Sequence, residues 1–230
     1  LQKQFLMYKT LWKEIMTDIR KIEYRFLHWG PFVCNYTLTP EEVESFKSLE
    51  SGEDNRENLA GHLQDEKSLD RPKVFALLAP YLQSYLKGYH EYRAEPLANG
   101  FELMTTWINR QKKNEFNPPH THDGDLSFVV YTEIPEGLEE ECKTSVANSP
   151  GPGCITFDFN MPFSSVSNKL CLQTHSHLPS VGDLFIFPAV LPHWVYPFTK
   201  TEGERVSISG NVRLTDVEKK LTLKNDSEEK

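Results

Sequence analysis

The sequence has 230 residues, of which 38% are hydrophobic and 12% aromatic, and this is enough apolar material to exclude a wholly disordered chain. The net charge is −8, and lysine and arginine form no cluster, so the sequence does not indicate a nucleic-acid or anionic-membrane surface. The sequence contains no run of about 18 or more apolar residues, the pattern that would predict a transmembrane helix. The four cysteines are far apart and lack a Cys-x-x-Cys spacing, which favours free thiols in a reducing, cytoplasmic setting.

The first 99 residues are predicted to be helical and mixed. Apolar residues at helical spacing over residues 1–29 predict a packing helix, or a poorly ordered extension, in preference to a membrane-surface helix. A short strand is expected at 32–36. Thr39, Pro40 and Glu42 form a capping-box helix start, and this helix is expected to end near residue 49. Residues 51–70 are predicted as a polar loop, and the apolar stripe over 72–92 predicts a second amphipathic helix.

After residue 99 the period of the apolar residues changes from 3.6 to 2, which predicts strands. The predicted strands cover residues 101–111, 126–134, 154–160, 170–173, 183–188, 193–198 and 206–213. Helices first and strands later, without βαβ alternation, predict a mainly β protein with flanking helices, built as a β-sandwich or jelly roll. We therefore expect a segment 1–99 that packs on a β core, the core at 100–215, and a charged flexible tail at 216–230.

The polar face of the last predicted strand is a candidate anion site. Val206, Ile208 and Val212 alternate there with Arg205, Ser207, Ser209 and Asn211. The preceding stretch, residues 182–197, is apolar on both faces, which is typical of a strand inside a sandwich or barrel. The polar face could lie in water, as on an ordinary surface strand, or it could line the barrel interior. In the second case Arg205 and Ser207 would offer a carboxylate a guanidinium fork and a hydroxyl.

Histidines form a second candidate site. In an extended segment His120 and His122 point to the same side and Asp123 to the opposite side, and two such imidazoles with a distant third ligand can bind a metal ion. His193, which lies just beyond the predicted strand at 183–188, is the candidate third ligand. An exposed polar turn is the alternative, because Asp123-Gly124-Asp125 is typical turn sequence. His175 and His177 form a rival pair in a stretch predicted as loop.

The order of these motifs resembles the double-stranded β-helix oxygenases that use Fe(II) and 2-oxoglutarate, and most closely a prolyl-hydroxylase-like branch found in marine phages and bacteria. The resemblance covers roughly residues 32–213. The motifs that carry it are LAGH (59–62), WIN (107–109), NPPHTH (117–122), SFVVY (127–131), GDLFIFP (182–188), LPHWV (191–195) and RVSIS (205–209).

The resemblance implies a double-stranded β-helix core of cupin type and a set of site residues. His193 would be the distal metal ligand, and Arg205 and Ser207 would bind the far carboxylate of 2-oxoglutarate. Asn109 and Tyr131 are candidates to contact the co-substrate from neighbouring strands, with a role as ordinary barrel residues as the alternative. The superfamily has His-x-Asp or His-x-Glu as its proximal ligands, whereas this chain has His120-Thr121-His122. We expect His120 and His122 to bind the metal, with Asp123 or Asp125 as the alternative source of a carboxylate.

The function implied by the resemblance is oxidative decarboxylation of 2-oxoglutarate with O2, coupled to hydroxylation of a prolyl or other amino-acid residue, or of a small molecule. Fe(II) and 2-oxoglutarate would be the cofactors, and the loops at 135–153 and 161–169 would frame the entrance. No membrane or nucleic-acid partner is indicated, and a phage-encoded protein would act in the host cytoplasm. Two other interpretations stay open: a three-histidine cupin dioxygenase or isomerase that does not use 2-oxoglutarate, and a non-catalytic jelly-roll binding module.

Overall fold

The computed structural model describes residues 30–93, 98–147, 151–159 and 174–215. The helix predicted at 1–29, the strand at 170–173, the loop at 161–169 and the tail at 216–230 lie outside these ranges. Within the described part of the chain, no helix has the length and the apolar composition needed to cross a membrane.

Within these ranges the chain forms three α-helices and eleven β-strands. The helices are α1 (Pro40–Lys47), α2 (Arg71–Arg93) and α3 (Leu138–Lys143), and a 3-10 turn covers Arg56–Asn58. The strands are β1 (Cys34–Thr37), β2 (Ser51–Asp54), β3 (Glu66–Leu69), β4 (Gly100–Gln111), β5 (Asn117–His120), β6 (Leu126–Glu133), β7 (Ile155–Asp158), β8 (Thr174–His177), β9 (Asp183–Pro188), β10 (His193–Val195) and β11 (Arg205–Thr215).

The described strands form two antiparallel sheets. The large sheet has the order β1-β9-β6-β11-β4-β3-β2, and the small sheet has the order β5-β10-β7-β8. Side chains of both sheets share one apolar cluster, in which Phe157 of β7 packs against Phe185 and Phe187 of β9 with ring centroids 5.6 and 5.0 Å apart. The two sheets therefore face each other, and the predicted double-stranded β-helix with flanking helices is confirmed.

Strict alternation along β11 separates the hydrophobic core from the barrel interior. Val206, Ile208 and Val212 lie in a core that also contains Leu78 and Leu82 of α2. The intervening side chains of β11 point to the other face of the sheet, because successive strand residues alternate. The helices α1 and α2 thus cover one face of the large sheet and leave the opposite face for a cavity.

The helix start predicted at Thr39 is confirmed. The Thr39 hydroxyl accepts a hydrogen bond from Glu42 N at 3.3 Å, and the Glu42 carboxylate accepts one from Thr39 N at 2.8 Å. These reciprocal bonds satisfy two backbone donors that the first helical turn leaves free. Tyr81 of α2 donates to Glu42 Oε1 at 2.6 Å, which ties the two helices together.

Three stretches predicted as loops contain regular structure. Residues 51–70 supply β2 and β3, and β3 pairs with β4 at Glu66–Asn109 and Ser68–Trp107. These strands are largely polar, so they are extended because they form hydrogen bonds with a neighbouring strand and not because of an apolar pattern. The rival histidines at 175 and 177 lie on β8, which pairs with β7. The predicted loop at 135–153 contains α3.

Candidate active site

Three histidines of the sequence prediction meet at one point in the barrel. His193 on β10 is the cross-strand partner of His120 at the end of β5, and His122 follows two residues later. Their ring centroids are 4.3 Å (His120–His193), 4.8 Å (His120–His122) and 5.0 Å (His122–His193) apart. One ligand nitrogen from each residue lies within 4.8 Å of the others, a spacing at which the three could bind one metal ion.

Backbone carbonyls orient two of these imidazoles. His120 Nδ1 lies 2.7 Å from Pro118 O, and His193 Nδ1 lies 3.0 Å from Leu191 O. Because a carbonyl oxygen can only accept, each Nδ1 carries the hydrogen and the Nε2 lone pair remains free. A ring held in this way by its second nitrogen is the usual arrangement of a metal-binding histidine.

The histidine cluster favours neutral rings. Burial, followed by the charges of His120 and His122, lowers the pKa of His193 to about 3, while the bond to Leu191 opposes the shift. Burial, followed by the charge of His120, lowers the pKa of His122 to about 4. Burial also lowers the pKa of His120. Neutral imidazoles at pH 7 have the lone pairs that a metal ion requires.

The other candidate ligands have different surroundings. Asp125 Oδ2 accepts a hydrogen bond from Leu214 N at 2.7 Å, and Asp123 is exposed. His177 Nε2 lies 2.9 Å from Asp183 Oδ2, and His175 is exposed on β8. Among the described residues, the only group of three or more histidine, cysteine, aspartate or glutamate side chains with metal-binding spacing is His120, His122 and His193.

Arg205 is a buried cation without an anionic partner in the described part of the chain. Its side chain is 2% exposed. Nη1 donates to Gln111 Oε1 at 2.8 Å and Nη2 to the Tyr131 hydroxyl at 3.0 Å, while Nε has no hydrogen-bond partner. The guanidinium also lies 4.7 Å from the centre of the Tyr131 ring. Because two neutral oxygens do not balance a buried charge, this arrangement favours binding of an anion.

One cavity contains every site residue predicted from the sequence. Its volume is about 530 Å³, counting its open mouth, and it lies between the two sheets. The predicted residues that line it are His120, His122, His193, Arg205, Ser207, Asn109 and Tyr131. The structure therefore brings the histidine cluster and the polar face of β11 into one site.

Two further polar residues of this region were not predicted. Gln111 is fully buried and holds Arg205, and Glu66 lines the cavity from β3. Gln111 has the same parity on β4 as Asn109, which is a signal that the sequence carries. Glu66 lies in a stretch predicted as loop, and only the pairing of β3 with β4 brings it to the cavity.

Comparison with known proteins shows that part of the barrel is similar to a known family. Residues 105–211, which include all seven predicted site residues, match the family model of 2OG-Fe(II) oxygenases. No curated protein matches the chain.

Solved structures with low sequence identity resemble this fold. They include a prolyl-4-hydroxylase from Pseudomonas putida, with 16% identity, 79% of this chain and 92% of that chain covered, and a TM-score of 0.46. A viral collagen prolyl hydroxylase from Paramecium Bursaria Chlorella virus-1, in its 2OG complex, has 13% identity, 79% and 96% coverage, and a TM-score of 0.48. HygX from Streptomyces hygroscopicus with nickel, 2-oxoglutarate and hygromycin B bound has 16% identity, 81% and 83% coverage, and a TM-score of 0.48.

Proposed function

We propose that this chain, whose residues 105–211 match a family model of 2OG-Fe(II) oxygenases, holds iron with His120, His122 and His193 and its co-substrate with Arg205. The match supports an oxygenase that uses Fe(II), 2-oxoglutarate and O2. The assignment of roles to individual residues and the choice of substrate are our own proposal.

The observation that carries the proposal is the buried Arg205 guanidinium in the same cavity as three neutral imidazoles. A dicarboxylate co-substrate that reaches from the metal toward Arg205 would satisfy both. One carboxylate and the adjacent keto oxygen would be near the histidines, and the far carboxylate would balance the buried charge. Charge-assisted hydrogen bonds from a planar guanidinium suit that carboxylate geometry.

The donor set fits Fe(II). Imidazole nitrogen is a common ligand of iron, and three ligands on one side leave positions for co-substrate. The bound iron and 2-oxoglutarate supply the oxidising chemistry, in which O2 is consumed, succinate and CO2 are released, and one oxygen atom enters a C–H bond of the substrate. A three-histidine set lacks the negative charge of the usual carboxylate ligand, so this site would carry one more positive charge.

The remaining residues orient the co-substrate and exclude water. Gln111 and Tyr131 hold Arg205 in place before any ligand binds, which reduces the ordering cost of binding. The Ser207 hydroxyl lies on the same strand face as Arg205 and is available to the far carboxylate, and Asn109 is its cross-strand neighbour. Apolar cavity walls such as Val129 and Phe187 keep water from the reacting atoms.

The substrate in this proposal is a prolyl or other amino-acid residue, or a small molecule, that is hydroxylated at carbon. The proposal also includes a reducing, cytoplasmic setting, which would be the host cytoplasm for a phage-encoded protein.

The test is the anaerobic addition of 2-oxoglutarate to the Fe(II) protein. A weak visible charge-transfer band and a higher melting temperature are expected, because the ligand binds the folded state. Arg205→Ala should keep stoichiometric iron and lose both responses. Arg205→Lys should retain them in part, because an ammonium lacks the planar fork.

The all-histidine donor set also suits a cupin dioxygenase or isomerase that does not use 2-oxoglutarate. The same experiment separates the two functions. Iron binding without either response at millimolar 2-oxoglutarate would favour the cupin function and contradict ours.

A further inference from the structure

Glu66 is a buried acid in the wall of the cavity and has no role in the site described so far. It is 1% exposed, and its Oε2 atom has no hydrogen-bond partner among the described residues. It lies on β3 opposite Asn109 of β4, which in turn lies opposite Ser207 of β11. A row of cavity-lining residues thus crosses three strands and ends at a carboxylate.

The wall around Glu66 is rich in hydrogen-bond acceptors. A Cβ atom built on Gly61 would lie 2.6 Å from Glu66 Oε1 and 2.5 Å from Asn117 Oδ1, so the absence of a side chain at Gly61 makes room for both oxygens. Asn109 uses one end of its amide for Ser209, with Nδ2 3.3 Å from Oγ, and its Oδ1 end has no partner. Residues 61, 66, 109 and 117 all line the cavity.

No cation among the described residues balances Glu66. Arg56, which has a favourable electrostatic interaction with it, forms its ion pair with Asp54 at the surface. Glu115, a carboxylate that repels Glu66, accepts hydrogen bonds from Gln64 N at 3.1 Å and Lys112 N at 2.7 Å. Burial, and then repulsion by Glu115, raises the pKa of Glu66 to about 7. Near neutral pH a cationic ligand would draw Glu66 into its charged form.

The cavity carries opposite charges at its two sides. Arg205 on β11 and Glu66 on β3 are separated by the whole of β4, so their backbones are roughly 10 Å apart across the sheet at about 4.8 Å per strand. A dicarboxylate is attracted to the Arg205 side and finds no cationic partner at the Glu66 side. The acidic side therefore stays free for a second ligand when the co-substrate is bound.

We propose that Glu66 recognises a cationic nitrogen, an ammonium or guanidinium group, on the substrate that is oxidised. This inference rests on the proposed function, because it places the cation beside a metal site that holds 2-oxoglutarate. A charged N–H donor supplies both the hydrogen bond and the charge that the buried carboxylate lacks. The free Asn109 amide end and Asn117 Oδ1 are further polar contacts for the same group.

The inference is tested with small probes on the full chain loaded with Mn(II) and 2-oxoglutarate. Mn(II) speeds the relaxation of protons on molecules that bind close to it, so binding is read without turnover. The probes are n-butylammonium, 1-butanol and butyrate, which share a four-carbon body and differ in the polar end. We expect butylammonium to bind about tenfold more tightly than butanol, the ratio that corresponds to one charge-assisted hydrogen bond, and butyrate least.

Three variants complete the test. Glu66→Gln should abolish the preference for butylammonium, and Glu66→Asp, which withdraws the carboxylate by one methylene, should weaken it if the glutamine variant does not fold. Glu57→Gln, at an exposed position of the same segment, makes the same charge change and should alter nothing.

Two failures are distinguishable. Equal binding of butanol and butylammonium, or a preference for butyrate, overturns the role of Glu66 while Arg205-dependent binding of 2-oxoglutarate persists. Absence of Mn(II) binding, or of 2-oxoglutarate binding, overturns the proposed function and this inference with it.

Discussion

Arg205 and Gln111 face each other across β11 and β4, and Arg205 Nη1 donates to Gln111 Oε1 at 2.8 Å. The other end of the Gln111 amide donates to Glu115 O at 2.6 Å. Gln111 is thus held by the backbone on one side and holds the guanidinium on the other. The arginine is fixed by a neutral partner, which leaves its charge available to a ligand.

Replacement of Gln111 by glutamate should weaken co-substrate binding. A carboxylate at this position would pair with Arg205 and compete with the far carboxylate of 2-oxoglutarate. We expect the Kd for 2-oxoglutarate to rise about tenfold or more, with unchanged iron binding, as measured by anaerobic titration of the charge-transfer band. Gln111→Met, which removes the hydrogen bond without adding charge, is the control and should weaken binding less. Equal Kd values for wild type and the glutamate variant would contradict the role of Arg205.

Single alanine substitutions distinguish the proposed histidine ligands from the alternative aspartates. His193→Ala should abolish stoichiometric Fe(II) binding under anaerobic conditions, and His120→Ala and His122→Ala should lower the affinity by at least about tenfold to a hundredfold. Asp123→Ala and Asp125→Ala should bind iron as wild type does. Loss of iron in the Asp125 variant with retention in the His120 variant would instead indicate a site with two histidines and one carboxylate.

The raised pKa of Glu66 predicts a pH dependence of stability in the metal-free protein. Between pH 4.5, the ordinary pKa, and about 7, the folded state binds a proton that the unfolded state has released. The free energy of unfolding contributed by this group therefore falls as pH rises through that window and is constant above it. The free energy of unfolding of Glu66→Gln, taken relative to wild type, should therefore rise by about 3 kcal/mol between pH 4.5 and pH 8, at 1.36 kcal/mol for each pKa unit.

Urea denaturation of both proteins at the two pH values measures this difference. The histidine contributions are common to wild type and variant and cancel in the comparison. Parallel pH profiles for the two proteins would show that Glu66 is ionised normally.

Glu141 on α3 should be a strong stability determinant. Its carboxylate accepts hydrogen bonds from the backbone N–H groups of residues 199, 200 and 201 and from the hydroxyls of Thr199 and Thr201. Burial opposes ionisation, but these bonds outweigh it and lower the pKa of Glu141 to about 2. Glu141→Gln should lower the free energy of unfolding at pH 7 by about 2–3 kcal/mol, the value of hydrogen bonds to a charged group.

Chemical denaturation measures this loss, and Glu140→Gln on the exposed side of α3 is the matched control. Because the folded-state pKa lies below the ordinary one, the contribution of Glu141 is present above pH 4.5 and is lost as pH falls toward 2. A wild-type advantage that persists at pH 2 would contradict this origin.

Alternation of residue types made β11 predictable, because a shift by one residue would bury the wrong set, and β9 was predictable as a short strand that is apolar on both faces. The same rule indicated which face of β11 carries Arg205 and Ser207. β2 and β8 were not predicted, since their exposed polar residues have no apolar period and their strand state depends on pairing with a distant segment. The place of Glu66 in the cavity wall could not be predicted for the same reason, because its cross-strand neighbour Asn109 is 43 positions away in the sequence.

The two halves of the proposed site belong to different sheets. His120 and His193 are on the small sheet and Arg205 and Tyr131 on the large one, and the aromatic layer around Phe157 sets the spacing between them. The separation of the histidine cluster and the guanidinium is therefore a property of core packing. Evolution could adjust the length of dicarboxylate that this barrel accepts by changing the size of a buried aromatic residue, with no substitution among the residues that touch it.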